Sequence, residues 1–190
     1  MRIFISGGCK NGKSYYAQHL AKVQCPAQQP ESLYYIATMK PADTEDNERI
    51  NRHRHERQGW GFKTVEQHID IEKILDKCNC GHSFLLDSLT ALLANEMFLP
   101  DGKVNEQAAE KISAALLKIT GKIKNIVIVS DYIYGDAIIY DTLTEKYRKS
   151  LAKIDRAVAG ACDILLESAF TNLIIHKGNE MFGRFYEKIP

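Results

Sequence analysis

Short runs of β-branched and apolar residues alternate along this chain with segments whose apolar positions recur every three to four residues. That alternation predicts a mostly parallel sheet flanked by helices. The first run, 1–6, reads Met-Arg-Ile-Phe-Ile-Ser, and 15–23 follows it with helical spacing. Further strands are expected at 32–38, 62–66, 83–87, 125–130, 163–167 and 172–176. Of these, 125–130 (Asn-Ile-Val-Ile-Val-Ser) has the unbroken apolar character of a strand covered on both faces. Helices are expected at 43–57, 69–78, 89–98, 105–122 and 142–162, whereas 177–190 carries no assignable period. The 43–57 segment is polar, with Thr44 as candidate cap and the pairs Glu45/Arg49, Glu48/Arg52 and Arg52/Glu56 spaced four apart. Pro26 and Pro30 break the chain after the first helix, and Gly59-Trp60-Gly61 ends the polar one. No repeat or long linker divides the chain, so 1–190 is expected to form one α/β domain with one core.

The link between the first strand and helix narrows the chemistry. Gly7-Gly8-Cys9-Lys10-Asn11-Gly12-Lys13-Ser14 is a complete G-x-x-x-x-G-K-S phosphate loop in the strand–loop–helix context the motif requires. Glycines let successive backbone N–H groups surround a polyphosphate, Lys13 supplies a point charge to its terminal oxygens, and Ser14 can hold Mg²⁺. A second strand in such enzymes ends in an acid that orients the cation. Asp87, ending 83–87, fits best; Asp131, ending 125–130, reaches the same sheet edge, and a helix N-cap is the alternative role for either.

The segment 49–57 concentrates four arginines and two histidines. An ordinary solvated helix face accounts for much of it, yet Arg49, Arg52, His53 and Arg57 share one helical stripe. Such a face would suit a second triphosphate and an attacking imidazole. His19, His68, His82 and His176 read as structural or surface residues. Cys78-Asn-Cys-Gly-His82 resembles half of a metal cluster but lacks a second ligand pair, and a helix end and turn is expected there.

Composition adds exclusions. Apolar residues at 45%, charged residues at 26% and a net charge of +1 give no reason to expect nucleic acid or an anionic membrane as partner. No stretch approaches ~20 consecutive apolar residues, so membrane insertion is not expected. Five scattered cysteines fit reduced thiols, and a cytoplasmic location is the expectation.

In order, these motifs resemble the bifunctional adenosylcobinamide kinase / adenosylcobinamide-phosphate guanylyltransferase family. The family's Gly-Gly-x-x-x-Gly-Lys-Ser is matched at Gly7 to Ser14, its Tyr-Ile-Ala-Thr by Tyr35-Ile36-Ala37-Thr38, and its Arg-Ile-x-x-His-x-x-x-Arg by Arg49-Ile50, His53 and Arg57. A Trp-x-Thr-x-Glu-like stretch is loosely matched by Trp60 to Glu66, and Leu-Leu-Asp-x-Leu-Thr by Leu85-Leu86-Asp87-Ser88-Leu89-Thr90. The resemblance implies a RecA-like fold, a homotrimer, and two activities using GTP, with ATP a further candidate donor, and Mg²⁺. One activity phosphorylates adenosylcobinamide; the other passes GMP from GTP, through a covalent histidine, to the cobinamide phosphate. By motif position that histidine is His53, with Lys13 beside it in catalysis. The resemblance also places Gly7 to Ser14, Tyr35, Ile36, Ala37, Arg54, His55, Glu56, Glu66 and Asp87 around nucleotide, and Ser14 and Asp87 on the metal.

The second half departs from the pattern. Asp131-Tyr132-Ile133-Tyr134-Gly135 stands where the family has Asn-Glu-Val-Gly, and Arg148-Lys149 and Asp155-Arg156 stand at its Arg-Asp and Asn-Gln signatures. Two other readings therefore remain open: a phosphate-loop kinase acting on another small molecule, and a nucleotide-binding regulatory protein without turnover.

Overall fold

The computed structural model describes residues 1–26, 32–41, 44, 48, 50–51, 54–55 and 57–186, the side chains of 184–186 excepted. Its elements are β1 (Arg2–Gly7), α1 (Lys13–Gln24), β2 (Leu33–Ala37), β3 (Phe62–Glu66), a 3₁₀ turn (Ile71–Lys73) running into α2 (Ile74–Lys77), β4 (Ser83–Asp87), α3 (Leu89–Met97), α4 (Ala108–Lys122), β5 (Asn125–Val129), α5 (Thr142–Ala161), β6 (Ile164–Ala169), β7 (Asn172–Lys177) and α6 (Asn179–Tyr186). The strands form one sheet in the order β3-β2-β4-β5-β1-β6-β7, all parallel except β7, which runs antiparallel to β6.

Alternation along the strands sends side chains into two cores. Phe4, Ile36, Phe84, Leu86, Ile126 and Ile128 pack under α2 to α5, whereas Ile3, Ile5, Leu33, Leu85, Val127 and Val129 pack under α1 and Phe182 of α6. Covering both faces removes Ile126, Val127 and Ile128 entirely from solvent, each contributing roughly 1.5–3 kcal/mol. The parallel register aligns the carboxyl ends: Ala37 lies opposite Asp87, Asp87 opposite Val129, and Gly7 opposite Ser168. Loops leaving those ends therefore meet along one edge, where ligands of such sheets bind.

Three segments refine the expectations. Instead of a helix over 69–78, the chain makes a 3₁₀ turn and the four-residue α2, because Asp70 takes φ +51°. Its backbone N–H donates to Glu96 Oε1 at 2.6 Å and its carboxylate is gripped by Lys73 and Lys111, contacts incompatible with an earlier helical start. The tail forms α6, anchored by the buried Phe182. In the polar segment 43–57, Thr44, Glu48, Ile50, Asn51, Arg54 and His55 are helical; its other residues before Arg57, including His53 and Glu56, lie outside the described residues. The 78–82 segment is the expected turn, with Gly81 N–H donating to Asn79 Oδ1 at 2.9 Å. No helix among the described residues is long and apolar enough to cross a membrane.

Candidate active site

The phosphate loop joins β1 to α1 and is braced from both sides. Gly7 has φ +155°, and a Cβ there would sit 2.3 Å from Ser168 O, so only glycine permits the close approach of β6. On that side Ser168 Oγ donates to Asn11 O at 2.5 Å. On the other, Tyr132 N–H donates to Gly7 O at 2.9 Å. Gly12, with φ +82°, turns the chain into α1. Lys13 is only 6% exposed; its Nζ donates to Gly8 O at 2.6 Å and pairs with Asp131 Oδ1 at 2.9 Å. Cys9 and Lys10 are exposed at the rim.

At the end of β4, Asp87 Oδ2 accepts from Tyr35 OH at 2.9 Å. Capping of α3 falls to the next residue: Ser88 Oγ accepts from Ala91 N–H at 3.4 Å, so Asp87 is not the cap. Thr38 Oγ1 lies 2.7 Å from both Ser88 N and Ser88 O, accepting from one and donating to the other, which ties the ends of β2 and β4 together. Thr90 Oγ1 accepts from Asp131 N–H at 3.0 Å, and Thr90 O accepts from Tyr147 OH at 2.8 Å. The Asp87 carboxylate is thus held by the Tyr35 hydroxyl, and Asp131 by Thr90 through its backbone and by Lys13 through its carboxylate.

A cavity of about 440 Å³ runs from Ser14, Asp87 and Asp131 to Tyr35, Ala37, Arg54 and Glu66. Its volume lies within the range of small-molecule sites. Arg57, 7% exposed, stacks its guanidinium 3.5 Å from the centroid of the Tyr35 ring, and its Nη1 has no hydrogen-bond partner among the described residues. Arg54 pairs with Glu66 at 3.0 Å across the opening. At the far wall Asn95 Nδ2 donates to Thr38 O at 2.8 Å and to His68 O at 3.1 Å. A guanidinium stacked on an aromatic ring at the cavity wall suits a phosphate or a purine edge.

Of the residues expected around nucleotide, Ser14, Tyr35, Ala37, Arg54, Glu66 and Asp87 line this cavity. Ile36 does not: its side chain is buried on the opposite face of the sheet against Phe84 and Leu86. His55 is exposed and is not among the lining residues. Sequence reasoning undervalued Arg57 and passed over Asn95, Thr38 and Thr90. Thr38 and Thr90 close the Tyr-Ile-Ala-Thr and Leu-Leu-Asp-x-Leu-Thr motifs, which was the available signal; Asn95 carried none.

The departures in the second half are in contact with one another. Asp155 of α5, 2% exposed, accepts from Ser130 Oγ at 3.0 Å and Tyr134 OH at 2.9 Å, while its Oδ1 has no partner. Burial pushes the Asp155 carboxyl up to about 7, with the nearby Asp131 charge adding to it and the two hydrogen bonds opposing it. Burial and Asp155 together also raise the Tyr134 phenol. Arg148, likewise buried, donates from Nε to Ile133 O at 2.9 Å and pairs with Asp136 at 2.8 Å. Tyr134 with Asp155, and Arg148 with Ile133 and Asp136, fasten the chain just after Asp131 to α5.

Mg²⁺ suits this edge. It takes one or two carboxylates or a hydroxyl together with phosphate oxygens and water. Ser14, Asp87 and Asp131 line one cavity, and Asp87 Oδ1 and Asp131 Oδ2 take no hydrogen bond from a described residue.

The family described as cobinamide kinase / cobinamide phosphate guanyltransferase matches residues 3–168. The chain belongs to this family. Among relatives, it is 27% identical over 164 residues to the bifunctional adenosylcobalamin biosynthesis protein CobP of Pseudomonas aeruginosa, covering 86% of this chain and 90% of that protein. It is 26% identical over 176 residues to the bifunctional adenosylcobalamin biosynthesis protein CobU of Escherichia coli, covering 86% of this chain and 92% of the relative. Among solved structures it is similar to the KaiC-like protein PH0186 from Pyrococcus horikoshii OT3, with TM-score 0.49, 12% identity, and coverage of 93% of this chain and 78% of that one.

Proposed function

We propose that this protein phosphorylates adenosylcobinamide with a nucleoside triphosphate and then transfers GMP from GTP to the product, through a covalent GMP on His53. The observation that carries the reading is the single cavity joining the phosphate-loop end, at Ser14, to Ile50, Asn51, Arg54 and Arg57, residues that flank His53 on both sides. The family description supports the substrate class and both activities, and the relatives are named as bifunctional proteins of adenosylcobalamin biosynthesis.

In the kinase step the corrinoid's hydroxyl oxygen attacks the γ-phosphorus. The bond to the β-phosphate oxygen breaks, the nucleoside diphosphate leaves, and the hydroxyl proton is released. Gly7 to Ser14 cradle the phosphates, and Lys13 moves from its contacts with Gly8 O and Asp131 onto phosphate oxygens. Mg²⁺, held through Ser14 and Asp87, would offset charge on the transferring phosphates.

In the second activity an imidazole nitrogen of His53 attacks the α-phosphorus of GTP, and pyrophosphate departs with the bonding electrons. A phosphate oxygen of cobinamide phosphate then displaces the imidazole, forming a P–O–P bond as the P–N bond breaks. Tyr35, Arg57 and Glu66 would hold the guanine nucleotide. Assembly as a homotrimer belongs to the same reading and is measurable by sedimentation.

The test is incubation with α-labelled GTP and Mg²⁺, then denaturation, for the wild type and His53→Ala. Label retained on denatured wild type, released by acid and absent from the variant, is expected. Absence of label under conditions of demonstrated GTP binding would overturn the guanylyltransfer step and leave a phosphate-loop kinase.

A further inference from the structure

Phe170 is 89% exposed, second only to Ile139 among the large apolar residues described, and it sits at the tip of the β6–β7 hairpin. Both tip residues take left-handed backbone conformations, Phe170 at φ +51° and Thr171 at φ +60°. Hairpins with two such residues ordinarily use Asn-Gly, since an aromatic or β-branched side chain is strained there. The tip is nonetheless tied closely to the phosphate loop. Tyr16 OH donates to Thr171 O at 2.5 Å, Ser168 Oγ donates to Asn11 O at 2.5 Å, and Thr171 Cγ2 stands 4.0 Å from where a Cβ on Gly12 would lie. Neither core cluster includes the ring.

The sheet order bears on how a triphosphate would lie in the loop. β1 lies between β5 and β6. Lys13 Nζ and Asp131 mark the β5 side of the loop as the place of the terminal phosphate. A triphosphate whose terminal phosphate met Lys13 there would send its nucleoside end to the β6 side, across Asn11 and Gly12, toward the hairpin.

We infer that Phe170 is the stacking platform for the base of the nucleoside triphosphate held by the phosphate loop. This subsite is separate from the cavity at Tyr35 and Glu66, which lies beyond β5 and β4 on the other side of β1. The inference rests on the reading that the loop holds a phosphoryl-donor triphosphate, and it gives the two nucleotides of that reading two base sites. Stacking on an aromatic ring tolerates either purine.

The experiment compares ATP, GTP and inorganic tripolyphosphate binding to the wild type, Phe170→Ala and Phe170→Trp, with Mg²⁺ present. Phe170→Ala is expected to weaken binding of ATP, or of whichever nucleotide serves as donor, by about tenfold. Tripolyphosphate affinity stays unchanged, kcat changes little while KM for the donor rises, and Phe170→Trp restores binding. Equal weakening of nucleotide and tripolyphosphate would make the ring a structural brace of the loop and overturn the inference. Unchanged nucleotide affinity, or a changed sedimentation coefficient in its place, would overturn it in favour of solvent exposure or a contact between subunits. Failure of His53 to take label while Phe170→Ala still selectively weakens donor binding would remove the guanylyltransfer reading and leave this subsite standing.

Discussion

Lys13 Nζ lies 2.9 Å from Asp131 Oδ1, so the first residue of α1 and the residue that follows β5 and Ser130 form an ion pair at the centre of the sheet edge. The cation that would meet a triphosphate is already held by a carboxylate and by Gly8 O. Triphosphate binding would therefore exchange one set of anionic and carbonyl partners for another, and would leave Asp131 free beside the terminal phosphate.

Opposite effects on binding are expected from the two partners. Lys13→Ala should weaken triphosphate binding and lower turnover at least about tenfold, consistent with a charge-assisted contact worth roughly 1.5–3 kcal/mol. Asp131→Asn removes a negative charge from a phosphate site, so affinity should hold or tighten while kcat falls by roughly 10- to 100-fold. Titration calorimetry alongside steady-state rates separates these. Loss of affinity in Asp131→Asn would mean that the carboxylate shapes the loop.

Arg57 stacks on Tyr35, which in turn holds Asp87, so a change at Arg57 should be felt at the end of β4. Lysine cannot reproduce a planar, stacked donor fork. Arg57→Lys is expected to reduce GTP affinity by about tenfold, and Arg57→Ala to cost a further ~1 kcal/mol of stability through lost packing. GTP titration and thermal melts check the pair; wild-type GTP affinity in Arg57→Lys would exclude the guanidinium from the site.

Stability should fall as pH rises from about 4 to 7 on account of Asp155. Its carboxyl is raised in the native state to about 7 from 3.8, so across that window the native form keeps a proton that the unfolded chain gives up. The contribution, up to about 4 kcal/mol, is fully present below the unfolded value and lost above the folded one. Asp155→Asn should match wild type near pH 4, exceed it above pH 7, and flatten the slope of urea-derived stability between. An unchanged slope would assign the titration to another group.

Glycine substitutions distinguish close approach from mere flexibility. Gly7→Ala would place a Cβ 2.3 Å from Ser168 O and should cost at least ~2 kcal/mol, with loss of nucleotide binding. Gly121→Ala, in α4 with nothing within 4 Å, should stabilise by roughly 0.5–1 kcal/mol and leave binding alone. Denaturant melts of both variants provide the measurement.

Local chemistry made much of this legible in advance. The phosphate loop is contiguous, so eight consecutive letters specify its shape, and Asp87 was readable because an apolar strand ending in an acid has a predictable edge to occupy. The Asp70 turn was not legible, since its conformation depends on Glu96 and Lys111, 26 and 41 residues away. Nor was α6, whose anchoring by Phe182 needs the second core to exist first.

The sequence by itself determined the strand–loop–helix cradle, the alternation that builds a parallel sheet, and the motifs that resemble the family, because each is written in neighbouring residues. Only the tertiary structure decided that Lys13 meets Asp131, that Arg57 lies over Tyr35, that Tyr134 donates to Asp155, and that the β6–β7 hairpin tip at Thr171 packs beside Gly12 of the phosphate loop. Those contacts join elements far apart in the chain, and their geometry is set by strand order and register, which local patterns of apolar and polar residues do not encode.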